Sequence, residues 1–121
     1  IILTPEEWVR QNFLKYLITY KNYPAGLISI EKTIIINNIS KRYDTLIYNR
    51  KGVPRMIIEF KAPKVNLNQK MLEQVLTYNY DLRVEYIMLT NGIKHYCLNY
   101  NYLTGEINYL NFIPDFSAID N

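Results

Sequence analysis

The sequence predicts an α/β fold, a mixed β-sheet flanked by helices, and three observations lead there. An amphipathic helix opens the chain. Three β-branched, apolar runs follow at hairpin spacing. A second amphipathic stretch then separates the third run from a fourth, and a helix between strands makes a crossover, so part of the sheet is expected to be parallel.

The first helix is signalled by Thr4-Pro5-Glu6-Glu7, which reads as an N-cap Thr, Pro at the first helical position and Glu at N3. Trp8, Phe13, Leu14 and Leu17 recur at helical spacing, flanked by Val9, Tyr16 and Tyr20, and Tyr23-Pro24-Ala25-Gly26 stops the helix. Leu27 to Ile36 reads as a strand and Asn37-Asn38 as a turn. Arg42 to Asn49 and Pro54 to Ala62 read as two more strands, joined by Arg50-Lys51-Gly52-Val53 and ended by Pro63. Asn68 to Leu82 reads as the second helix, with Met71, Leu72, Val75, Leu76 and Asn79 along one side. Val84 to Thr90, His95 to Tyr100 and Glu106 to Asn111 read as late strands, with Asn91-Gly92 as a turn. The tail from Pro114 is expected to be loosely held.

Composition narrows the chemistry. At 121 residues and 14.5 kDa the chain has the length of one domain, taken here as residues 1–121. With 49% hydrophobic and 21% charged residues it is a globular composition, and no apolar run reaches the roughly 18 residues of a membrane span. No signal peptide is visible, and the lone thiol, Cys97, fits a reducing, cytoplasmic setting. One Cys and one His (His95) cannot build a Cys/His zinc cluster. The four glycines are too dispersed for a phosphate loop, and no Ser sits in a nucleophile elbow. Carboxylates, lysines and a hard metal ion remain as the means of catalysis.

Charge is uneven. Between Lys41 and Lys70 eight cations face only Asp44 and Glu59, a net +6 within a chain of net +3. A basic middle suggests a polyanionic partner, but on charge alone a solvated Lys-rich hairpin is the favoured reading. The abundant Ile, Asn, Tyr and Lys share AT-rich codons, so the 12 tyrosines need not form a binding platform.

The hairpin carries the chemistry. A four-residue loop at 50–53 would pair Asn49 with Pro54, and the same register sets Asp44 opposite Glu59, with Cβ atoms about 5 Å apart. Lys61, two residues on from Glu59, shares its face, and Arg42 faces Lys61 across the pair. Two adjacent carboxylates need positive charge between them. Lys61 alone supplies it as a structural ion pair; a divalent cation supplies it better, in an oxygen shell suited to Mg2+.

With Arg42-Tyr43-Asp44, then Ile57-Ile58-Glu59-Phe60-Lys61-Ala62-Pro63, then Gln74 and Tyr78 four apart on the next helix, the sequence resembles the PD-(D/E)XK nuclease superfamily. More closely it resembles the nuclease domain at the N-terminus of type I restriction enzyme R subunits, in which Leu3 to Gln11 and Leu89-Thr90-Asn91-Gly92 also find counterparts. The resemblance covers roughly residues 3 to 100. Tyr43 stands where the superfamily name expects Pro.

The resemblance implies a restriction-endonuclease-like fold, an αβββαβ core with late strands added. It implies a Mg2+-dependent (or Mn2+-dependent) DNA endonuclease in which Asp44 and Glu59 bind the metal and Lys61 is catalytic. Gln74 and Tyr78 would support the site. Glu7 is the candidate for the helix-1 acid of the superfamily, although a capping role explains it as well. Arg42, Lys64 and Lys70 are candidates for DNA phosphate contacts. R subunits also carry a helicase motor, for which 121 residues have no room, so the chain is expected either to be an excised or small stand-alone relative or to work with helicase or specificity subunits encoded separately. Two other readings stand beside the nuclease: a non-catalytic DNA-binding or partner-dependent domain keeping the fold, and a structural domain whose Asp44–Lys61–Glu59 cluster is only an ion-pair network.

Among the other residues, His95 is expected to be packed or on the surface, Cys97 to be a small buried hydrophobe, and Arg50 and Lys51 to be surface charges.

Overall fold

The computed structural model describes residues 3–121. Helix α1 (Pro5–Tyr20) leads to a short 3-10 turn and the meander β1 (Ile28–Ile36), β2 (Ile39–Tyr48) and β3 (Pro54–Phe60). Helix α2 (Gln69–Tyr78) and a 3-10 turn at Tyr80–Leu82 cross to β4 (Tyr86–Thr90), followed by β5 (His95–Tyr100), β6 (Ile107–Leu110) and a short helix α3 (Phe116–Ile119). The six strands form one sheet in sequence order. Among the described residues only β3 and β4 run parallel, as the α2 crossover requires; the other neighbours are antiparallel.

Each sheet face has its own core. Val9, Phe13 and Leu17 of α1 pack with Ile47, Met56, Ile58, Phe60 and Met88. On the other face Leu72 and Leu76 of α2 pack with Leu46, Ile57, Ile87, Leu89 and Leu98. The β3 and β4 interior is therefore buried on both sides, which explains its near-continuous apolar sequence.

The local signals place most elements. Thr4 caps α1, its Oγ1 accepting from the Glu7 N–H, and Asn68 caps α2, accepting from the Met71 N–H. Asn37 and Asn38 both take positive φ, 52° and 64°, as the two-residue hairpin between β1 and β2 demands.

Several expectations are corrected. Trp8 is 53% exposed, because the buried stripe runs through Val9, Phe13 and Leu17, and Trp8 lies about 100° around the helix from Val9. Helix α1 ends at Tyr20, ahead of the Pro24 signal, where Asn22 takes φ 62°. Helix α2 stops at Tyr78, and the rest of the anticipated helix becomes the 3-10 turn. Asn49 does not pair with Pro54; Tyr48 does, after a register shift. The Asn49 side chain is drawn into the turn, its Oδ1 accepting from the Lys51 and Val53 N–H groups.

The tail is firmly held. Phe116 and Ile119 are buried in the α1-side core. The Phe116 N–H donates to the Lys21 carbonyl, and the Tyr23 hydroxyl donates to the Pro114 carbonyl. Arg50, expected to be a free surface charge, pairs with Asp120 at 2.7 Å and stacks on Phe116. Arg55 donates to the Ile119 carbonyl. An apolar pair at i, i+3 closing one end of the sheet outweighs the usual freedom of a terminus.

Candidate nuclease site

Observed pairs Thr45↔Ile58, Leu46↔Ile57 and Ile47↔Met56 set the β2–β3 register, which one further step would extend to Asp44 and Glu59. The ladder stops there: the Phe60 N–H donates to Asp44 Oδ2 at 3.1 Å instead of to a backbone carbonyl. Alternation also breaks. Ile47 lies on the α1 side, yet Tyr43, of the same parity, packs on the α2 side. The β1–β2 ladder skips the Glu31–Asp44 step, and Glu31 takes φ 53°. Asp44 thus sits at a distortion of the sheet and borders both faces.

On the α2 side a cavity of about 480 Å³ brings the predicted residues together: Arg42, Asp44, Glu59, Lys61, Gln74 and Tyr78 all line it. Lys61 lies just beyond β3, its N–H donating to the Thr90 carbonyl at 2.9 Å, and its Nζ is 4.0 Å from Glu59 Oε1. Burial and the neighbouring Asp44 carboxylate push the Glu59 carboxyl up to about 6, and Lys61 only partly offsets them.

Gln74 and Tyr78 reach the cavity from the solvent-facing edge of α2; Tyr78 is exposed, not a core aromatic. Its position depends on Lys41. The Lys41 ammonium donates to the Tyr78 carbonyl at 2.5 Å, lies 5.0 Å from the Tyr78 ring centroid, and pairs with Asp81 at 3.6 Å. It thereby satisfies a carbonyl at the open C-terminal end of α2.

Glu7 lies elsewhere. It lines a smaller cavity of about 160 Å³ on the α1 side with Glu6, Arg10, Glu31 and Asp44, and its carboxylate binds Arg10 and Gln11. Arg10, nearly buried, also reaches Glu31 at 3.7 Å, and Glu31 reaches Arg42 at 3.1 Å. Lys64 and Lys70 are exposed and outside both cavities.

Sequence reasoning missed two supporting residues. Lys41 is one. Asn91 is the other: buried, it donates to the Val65 carbonyl at 2.8 Å and accepts from the Ile93 and Lys94 N–H groups. It fastens the loop after Lys61 to the end of β4. An Asn beside a glycine was the available signal, but it reads first as a turn former. Away from the site, His95 is exposed, bonded to Thr90 and stacked on Phe13, and Cys97 is buried, its thiol pushed up to about 12.

The donor chemistry suits a hard cation. Two opposed carboxylates in a cavity match the protein's share of a Mg2+ shell, which water and substrate phosphates normally complete. Among the described residues, no group of three His, Cys, Asp or Glu side chains is placed to hold an ion.

Comparisons with known proteins agree with this architecture. A search of curated proteins finds no match. A solved fragment described as the HsdR subunit of a type I restriction enzyme from Vibrio vulnificus YJ016 is similar in fold, with a TM-score of 0.64 and 20% identity. The match covers 97% of this chain and 24% of that one, so the chain spans about a quarter of its length. The family model for the type I restriction enzyme R protein N terminus matches residues 5–114, nearly the whole chain. The chain belongs to the type I restriction enzyme R protein N-terminal family (HSDR_N).

Proposed function

We propose that this chain is a metal-dependent deoxyribonuclease of the PD-(D/E)XK type, hydrolysing phosphodiester bonds within a type I restriction system. The observation that carries the reading is the convergence of Asp44, Glu59, Lys61, Gln74 and Tyr78 on one cavity. Asp44 and Glu59 would hold Mg2+ or Mn2+. Bound there, the ion supplies Lewis acidity toward water and the scissile phosphate.

The chain's own residues divide the remaining work. Glu59 must give up its proton before it can act as a ligand. Lys61 projects into the cavity beside Glu59, where its ammonium steadies negative charge developing on the phosphate or orients the attacking water. Gln74 and Tyr78 position the strand from the α2 side. Arg42, Lys64 and Lys70 attract phosphates without regard to sequence. Glu7, turned toward Arg10, supports Asp44 from the α1 side. Residues 1–121 act as one nuclease-like domain in the cytoplasm, and base specificity comes from partner subunits.

The test is incubation of plasmid and linear DNA with the purified chain and Mg2+ or Mn2+, beside EDTA and Lys61→Ala controls. Metal-dependent cutting lost in the variant is the expected result. Absence of cutting by the wild type overturns autonomous nuclease activity and leaves a non-catalytic DNA-binding or partner-dependent domain.

A further inference from the structure

The parallel strands β3 and β4 end together, with Glu59 in the last step of β3 and Lys61 just beyond it. Past those ends the loop 61–68 and the turn 91–94 are bonded to each other. The Lys61 N–H donates to the Thr90 carbonyl at 2.9 Å. The Asn91 amide donates to the Val65 carbonyl at 2.8 Å and to the Pro63 carbonyl at 3.5 Å, on either side of Lys64. Within the turn, Asn91 Oδ1 accepts from the Lys94 N–H at 2.8 Å, and the Asn91 N–H donates to the Lys94 carbonyl at 3.3 Å. Gly92, at φ 87°, supplies the backbone conformation that the turn needs. One buried Asn thus ties the backbone of Lys94 to the backbone around Lys64.

Charge on these two segments has one sign. Residues 60–72 and 86–105 contain Lys61, Lys64, Lys70 and Lys94 and no Asp or Glu. Lys64 and Lys94 are exposed, and among the described residues neither forms an ion pair. Their ammonium groups therefore keep their charge for an anion from outside. Lys94 lies beyond the basic stretch 41–70, so no run of charge in the sequence points to it; the hydrogen bonds of Asn91 bring it there. Ligands of open α/β sheets bind outside the carboxyl ends of the parallel strands, which is where this turn lies.

We infer that Lys94 is a DNA phosphate contact, coupled to Lys64 through Asn91 at the end of the sheet that carries Glu59 and Lys61. The inference rests on the nuclease reading for its ligand, and it extends the phosphate-binding surface from the loop after β3 to the turn after β4.

Salt dependence of binding tests it. Fluorescence anisotropy on a labelled duplex in EDTA, repeated across a range of NaCl concentrations, counts phosphate contacts through the slope of log affinity against log salt. Lys94→Gln should reduce the magnitude of that slope by about 0.9 and weaken binding roughly tenfold at about 50 mM salt. Lys94→Arg should keep both. Both variants retain the bonds to Asn91, which Lys94 makes through its backbone. Lys51→Gln removes the same charge from the hairpin tip at the other end of β3 and should leave the slope at its wild-type value. An unchanged slope in Lys94→Gln, an equal loss in Lys94→Arg or Lys51→Gln, or no DNA binding by the wild type overturns the contact. Cutting by a chain whose slope ignores Lys94→Gln leaves the nuclease reading without this contact. The expected slope change in a chain that never cuts, with metal restored, leaves the contact without autonomous nuclease activity.

Discussion

The backbone N–H of Phe60 donates to the carboxylate of Asp44 at 3.1 Å, in place of the ladder bond that ordinary pairing would supply. One carboxylate oxygen is thereby fixed to β3, and the group as a whole is held next to Glu59. An Asn at position 44 can still accept that bond through its Oδ1. Asp44→Asn should therefore keep its melting temperature within a few degrees of wild type and lose divalent-cation binding by at least about tenfold, as read by calorimetric titration with Mn2+. A large drop in melting temperature with unchanged Mn2+ affinity would assign Asp44 to the sheet alone.

Among the described residues, Lys61 approaches no anion more closely than Glu59, at 4.0 Å. Lys61→Ala should fold normally and bind Mn2+ at least as well as wild type, since one positive charge leaves the site. Cleavage should fall by about a hundredfold or more. Parallel Mn2+ titration and plasmid-nicking rates check both halves.

Glu59 is raised to about 6 from an ordinary 4.5 by burial and by Asp44. The folded state therefore holds this proton more tightly than the unfolded state does. Stability contributed by the protonated form is complete below about pH 4.5 and is lost as pH rises through about 6. Glu59→Gln, which remains neutral, should be more stable than wild type at pH 7.5, by about 1 kcal/mol once partial exposure is discounted, with the advantage gone at pH 4. Metal binding by the wild type should weaken as pH falls below about 6, because the ion must displace the proton. Thermal melts and Mn2+ titrations across that range test each sign.

Phe116 is buried at 2% exposure and meets Tyr23 edge-to-face with ring centroids 5.5 Å apart. Phe116→Ala should cost about 3–5 kcal/mol and lower the melting temperature by roughly 10 °C or more. Such a loss is unexpected for a site five residues from Asn121, the last residue of the sequence. A shift within a degree or two would return the tail to the loosely held state.

Asn91→Ala should release the loop after Lys61. It removes the bond to the Val65 carbonyl and the acceptor for two backbone N–H groups, at a cost of about 2–3 kcal/mol. Amide exchange should quicken in residues 61–68 beyond the global change in stability, while α1 amides follow only the global change.

The sequence by itself determined most of the elements and the proximity of the two acids. Capping by Thr4 and Asn68, the Asn37-Asn38 turn and the apolar runs act over a few residues, so their signals are local. The Asp44–Glu59 juxtaposition was legible for the same reason: a short hairpin leaves little choice of register, and even with Asn49 drawn out of the strand the central pairs kept theirs. Tertiary structure decided the rest. Lys41 braces Tyr78 across 37 residues, and Arg50 meets Asp120 across 70. Arg10 draws Glu7 away from the main cavity, and Tyr43 crosses to the face that its parity does not predict. Each of these depends on how two helices and a distorted sheet pack together, and no period or turn within the chain encodes a contact made only when distant segments meet.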